Sequence, residues 1–233
     1  MREIIFDTET TGLSPQNGDR VVEIGCVEMF NRCETGRTFH SYFNPGRSMP
    51  SEAEAVHGLS ERFLSDKPAF TDVCEDLLEF IGDAPMIAHN AAFDFGFINH
   101  ELGSCGRPIV DMSRMICTLV LARQKFPGAK HSLDALCSRF GVDRSQRIKH
   151  GALLDAQLLA QVYVELTGGR QIGLGLVAAL IEDESALSEI ADTAIPATPL
   201  SIRPARPHGP SDEELARHAA FLAKIKDPIW NRL

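Results

Sequence analysis

At 233 residues, with 23 basic against 32 acidic side chains and a formal net charge of −9, the chain is long enough to bury a sizeable core in one domain with an appendage. That acidity argues against a protein holding nucleic acid by a basic surface alone, though not against a nuclease whose carboxylates are neutralised by metal and whose substrate is delivered by a partner. The six cysteines form no Cys-x-x-Cys pair and read as reduced, buried thiols; no apolar run approaches a membrane span, so a cytoplasmic protein without a membrane partner is expected.

Ile4, Ile5 and Phe6 are strand formers, and Thr10-Thr11-Gly12 ends the first predicted strand, residues 2–9. Two more strands, 21–30 and 38–43, with Asn31 to Gly36 as a polar turn, suggest an antiparallel meander. Helices are predicted over 51–56 and 71–81, the latter with Val73, Leu77, Leu78 and Ile81 on one face. A short strand at 86–88 leads into a helix over 92–102, then come a strand at Ile109-Val110 and helices over 115–125, 132–140 (Ser132 as N-cap) and 152–167, the last ended by Gly168-Gly169. Antiparallel strands followed by strand–helix units predict an α/β fold, a ribonuclease H-like mixed sheet flanked by helices over residues 1–170.

Beyond Gly169 the composition changes. Residues 181–200 hold five acids and no base, and five prolines fall between Pro196 and Pro210, so 171–210 reads as a flexible linker. Ser211 with Glu214 makes a capping box before Leu215, Phe221, Leu222 and Ile225, and Trp230 follows. A tethered amphipathic helix with an aromatic anchor over 211–233 has the design of a docking segment.

Three clusters carry the chemistry. On an extended strand Asp7 and Glu9 project from one side, about 7 Å apart. Either they are solvated acids at an exposed strand end, or a hard divalent cation offsets their repulsion. Asp94, in the first turn of a helix after His89-Asn90, could merely complement the helix dipole. Asp155 follows His150 by five residues near another helix start, an ordinary surface pattern when alone. Gathered at one sheet edge, however, four carboxylates would demand cations, and two divalent ions could activate water and stabilise a phosphoryl centre in attack. His150 is the nearby group able to take that water's proton near neutrality.

The strings Asp7-Thr8-Glu9-Thr10-Thr11-Gly12, His89-Asn90-Ala91-Ala92-Phe93-Asp94 and His150-x-x-x-x-Asp155 resemble, in order and spacing, the three motifs of the DEDDh family of 3′-to-5′ exonucleases. A tyrosine-type relative would carry tyrosine where Gly151 stands. Val56-His57-Gly58, Ser132 to Cys137 and His150 to Gly169 are similar to the epsilon-type proofreading branch that serves bacterial DNA polymerase III. The resemblance implies that Asp7, Glu9, Asp94 and Asp155 hold two Mg2+ ions, which Mn2+ could replace, with Asp7 bridging, Asp94 acting mainly through coordinated water and His150 as general base. It implies that Thr10, Thr11, Leu13, His57, Asn90 and Phe93 line the site of the 3′-terminal nucleotide, Phe93 being equally open to a core role. The reaction implied is release of nucleoside 5′-monophosphates from a single-stranded 3′ end of DNA, favouring a mispaired primer because it frays at less cost.

Gln171, Leu174 and Leu176 resemble a short sliding-clamp motif, with Leu176 where an aromatic is expected, or else form an apolar helix exit. The tail with Trp230 stands where that branch contacts the polymerase catalytic subunit. His40, His89, His100 and His131 read as structural, and Lys130 and Lys149 as solvated. The competing readings are an RNA-trimming relative of ribonuclease T or oligoribonuclease type, which lacks the proline-rich extension, and a non-catalytic adapter, against which the intact acids argue.

Overall fold

The apolar run that opens the chain becomes the centre of the sheet. The computed structural model describes residues 1–147, 149–169 and 209–225. Arg2–Thr10 (β1), Val21–Phe30 (β2) and Cys33–Tyr42 (β3) form an antiparallel meander. Met86–Ala88 (β4) pairs parallel to β1, and Met115–Cys117 (β5) parallel to β4, giving the order β3-β2-β1-β4-β5. The helices of this part are Ser51–His57 (α1), Glu61–Leu64 (α2), Phe70–Ile81 (α3), Ala92–Ser104 (α4), Thr118–Lys125 (α5), Leu133–Phe140 (α6) and Ala152–Leu166 (α7). The result is the mixed five-stranded sheet flanked by helices that the sequence predicts.

Side-chain alternation along β1 decides which helix sees which residue. Ile4 and Phe6 enter the core shared with α3 and α4, Phe6 meeting Phe95 edge-on at 5.6 Å between ring centres. Ile5 joins Ala156, Leu159 and Tyr163 of α7. Each such burial contributes roughly 1.5–3 kcal/mol before entropy is charged. The same parity sends Asp7 and Glu9 to the α7 side. There β2 carries Gly25, in register with Asp7. A Cβ at Gly25 would lie 2.2 Å from the Leu153 nitrogen and 2.3 Å from its Cα, so the missing side chain is what lets the first turn of α7 rest on β2.

Four local expectations are corrected. The turn between β2 and β3 is shorter than Asn31 to Gly36: Asn31 and Arg32, in left-handed backbone (φ 51° and 65°), make a two-residue hairpin turn, and Glu34 to Arg37 become part of a charged edge strand. Ile109-Val110 is not a strand, because the Val110 N–H donates to Asn99 Oδ1 (2.8 Å) and its carbonyl accepts from Asn99 Nδ2 (3.0 Å), leaving no ladder to join. Met115 to Cys117, expected as a helix start, instead supply β5, since pairing with β4 overrides the helical reading of a short apolar run. Cys33 is exposed rather than buried; the described cysteines are all free thiols.

The chain divides into two units, Met1–Gly175 and Leu176–Leu233. Described residues of the second form Asp212–Leu222 (α8), capped as expected by the reciprocal Ser211 and Glu214 pair, with Leu215, Phe221 and Ile225 exposed. Among the described residues no helix is long and apolar enough to cross a membrane. Gln171, Leu174, Leu176 and Trp230 lie outside the described residues.

Candidate active site

Open α/β sheets bind ligands outside the carboxyl ends of their strands, and the parallel pairing of β1 with β4 sets two such ends side by side. From β1 come Asp7 and Glu9. The turn after β4 passes through Asn90 in left-handed backbone (φ 62°), which asparagine tolerates, and delivers Asp94 in the first turn of α4. Seating of α7 on Gly25 delivers Asp155, with His150 on the loop before it. All five line one cleft of about 700 Å³, together with Thr8, Asn90 and Phe93.

The acids are crowded and poorly hydrated: Glu9, Asp94 and Asp155 are 7%, 3% and 3% exposed. Burial first, then Asp94, Glu9 and Asp155, push the Asp7 carboxyl well above the usual carboxylate range, with Arg147 opposing. Burial, then Asp155, Glu23 and Asp94, push Glu9 up to about 8. Asp94 is pushed by burial to about 7, despite the hydrogen bond its carboxylate accepts from Thr8 Oγ1 at 2.7 Å. Such a set repels itself when ionised and is relieved by protons or by cations. Ligand atoms of Glu9, His150 and Asp155 lie within 4.8 Å of one another. An oxygen-rich donor set under that charge fits a hard divalent cation.

His150, 49% exposed at its side chain, places Nδ1 3.6 Å from Asp155 Oδ2. Its N–H reaches the Val56 carbonyl at 3.4 Å, tying its loop to α1. The residue that sequence reasoning missed is Arg147, whose Nε and Nη2 fork onto both oxygens of Asp155 at 2.5 and 2.6 Å. An arginine in a loop three residues before a histidine carries no signal in one sequence. Asp134 and Thr8 were likewise passed over as chemistry, although both sit inside the quoted strings.

Beside the acidic cleft lies a second, more apolar cavity of about 440 Å³, lined by Thr8 to Leu13, Val56, His57 and Phe93. Thr10, Thr11, Leu13, His57 and Phe93 therefore face one space, which shares Thr8, Glu9 and Phe93 with the acidic cleft, where Asn90 lies. Phe93 is partly core as well, its ring 4.9 Å from Phe97. His57 is buried, and its Nδ1 accepts from the Leu59 N–H at 3.0 Å, which places the proton on Nε2. That buried Nε2 finds no partner of hydrogen-bonding geometry among the described residues, with the Thr10 backbone near enough to favour a proton there; burial lowers the histidine's pKa all the same. A buried donor left over beside a cavity is suited to a ligand acceptor.

Three of the histidines set aside have structural bonds: His89 to Thr118 Oγ1 (2.9 Å), His40 to Glu23 Oε1 (2.7 Å) and His131 to the Phe126 carbonyl (2.8 Å). His100 is exposed on α4.

A mixed sheet presenting buried acids and a histidine at its carboxyl edge defines a nuclease of the ribonuclease H-like class. The chain belongs to the family described as Exonuclease, whose pattern matches residues 4–163, and it is a 3′-to-5′ exonuclease of that divalent-metal-dependent family. Among its relatives, the DNA polymerase III subunit epsilon of Rickettsia felis (strain ATCC VR-1525 / URRWXCal2) is 49% identical over 228 residues, covering 97% of each chain. That of Escherichia coli (strain K12) is 40% identical over 232 residues, covering 97% of this chain and 93% of its own. Among solved structures, exonuclease X in complex with 5′ overhanging duplex DNA has a TM-score of 0.56 at 27% identity, over 71% of this chain and 90% of its own. The nuclease domain of 3′hExo, a DEDDh family member bound to rAMP, shares the fold with a TM-score of 0.62 at 16% identity, over 71% of this chain and 90% of its own.

Proposed function

We propose that this chain is the proofreading subunit of a bacterial replicative polymerase, removing mispaired nucleotides as 5′-monophosphates from a single-stranded 3′ end of DNA. The observation that carries it is the convergence of Asp7, Glu9, Asp94, Asp155 and His150 on one cleft beside a cavity lined by a histidine donor with no partner among the described residues. Asp7, Glu9, Asp94 and Asp155 would hold two Mg2+ ions, or Mn2+ in their place; when bound, these supply charge for the phosphoryl centre and lower the pKa of the attacking water. His150 takes the water's proton, its exposure letting the proton pass on to solvent. Thr10, Thr11, Leu13, His57, Asn90 and Phe93 hold the terminal nucleotide, His57 Nε2 donating to it and Phe93 offering a ring face to the base.

Residues 1–170 are the nuclease domain, 171–210 a linker and 211–233 the segment that docks on the polymerase catalytic subunit, with Trp230 as anchor; Gln171, Leu174 and Leu176 would contact the sliding clamp. A soluble, cytoplasmic replication complex is the setting. Digestion of matched and 3′-mismatched DNA primers, with and without chelator, beside an RNA of equal length, tests the reading. Faster, chelator-sensitive loss of the mismatched DNA end is expected, and preference for the RNA would overturn it. Replacing Asp7 and Glu9 together with Ala is expected to abolish hydrolysis while polymerase binding persists.

A further inference from the structure

Arg147 has no part in the reaction above, yet the site converges on its guanidinium. Besides the fork on Asp155, Nη1 donates to Asp134 Oδ1 at 3.0 Å, and Nη2 lies 3.1 and 3.4 Å from the two ring nitrogens of His150. The side chain is only 9% exposed, held between α6 and α7. Asp134, on the first turn of α6 and half exposed, is also reached by Arg144 at 2.8 Å.

We propose that Arg147 is a positioning residue acting as an exchangeable counter-cation: its guanidinium and a divalent cation compete for Asp155, and Asp134 retains the guanidinium when the cation takes over. The inference rests on the metal-dependent reading above. A cation among Glu9, His150 and Asp155 needs an Asp155 oxygen, and the fork already engages both. Two positive charges on one carboxylate repel strongly in a site this poorly hydrated. With Nη1 kept on Asp134, the arginine needs only to pivot, and its positive charge stays beside His150. The device would keep Asp155 and the His150 loop ordered before metal arrives and set a threshold on metal entry.

The test uses the full chain titrated with Mn2+, free ion being followed by electron paramagnetic resonance. Arg147→Met is expected to bind Mn2+ about tenfold more tightly, the scale of one charge-assisted hydrogen bond no longer displaced. Asp134→Asn strips the charge from the retaining acceptor and so weakens its hold on the guanidinium; it is expected to bind more weakly than wild type, while the double variant matches Arg147→Met. Equal or weaker binding by Arg147→Met, or an Asp134→Asn effect that persists in the double variant, overturns the proposal. Should Arg147→Met fail to fold, Arg147→Lys keeps the charge without the fork and is expected to bind with intermediate affinity; wild-type affinity there also overturns it. Wild-type protein that takes up no Mn2+ would instead defeat the functional reading itself.

Discussion

Glu9 and Asp94 hold their protons into the neutral range, and this makes both stability and metal binding depend on pH. Their folded values, about 8 and about 7, exceed the ordinary 4.5 and 3.8, so between those limits the folded chain binds more protons than the unfolded one. The stability this provides is fully present below the unfolded values and is lost as pH rises through about 7 to 8. In chelator, the melting temperature is therefore expected to fall from pH 6 to 9, and saturating Mg2+ should flatten the fall because the cation replaces the protons. A flat profile in chelator would show that burial in the cleft does not raise these carboxylates. At this scale the acids and His150 were legible because each motif string keeps a fixed spacing about its strand or helix start. Arg147 was not, since only its partners, distant from it in space until α6 and α7 pack, give it a role.

The placement of α7 is the element on which the site hangs, and Gly25 permits it. Gly25→Ala would thrust a methyl into the backbone of Leu153, which cannot move without tilting α7. A stability loss of about 3 kcal/mol is expected from such overpacking, with hydrolysis falling far more than nucleotide binding because Asp155 moves away from Asp7. Urea titration and single-turnover digestion check both, and wild-type behaviour in each would show that α7 is not fixed there. A milder change is Ser132→Ala, which removes the cap that accepts from the Ala135 N–H at 3.3 Å. It should cost about 1 kcal/mol, with activity kept in the remaining folded protein. Helices with strong periodicity or caps were readable at this scale, whereas β5 and the non-strand at Ile109-Val110 were not: three apolar residues carry no distinguishing period, and the bonds that settle them come from β4 and Asn99.

For the whole molecule, catalysis and tethering are expected to separate. The carboxylate cleft is lined by β1, the turn after β4, α4 to α7 and the loops before α6 and α7, all within Met1–Gly175, while α8 displays Leu215 and Phe221, with Ile225 exposed just past its end. Deleting residues 211–233 should leave digestion of short single strands unchanged and remove association with the polymerase catalytic subunit; co-purification of normal amounts of polymerase by the truncated protein would contradict this. The sequence by itself determined the strand on which Asp7 and Glu9 share a side, the helix starts that carry Asp94 and Asp155, and the capped tail helix, because alternation, caps and turn chemistry act over a few residues. Tertiary structure alone decided that these acids meet, that their proton affinities rise, that His57 lines the neighbouring cavity with a donor unanswered among the described residues and that Arg147 forks onto Asp155. Those properties depend on distances and dehydration that the packing of α7 against the sheet creates and no local pattern encodes.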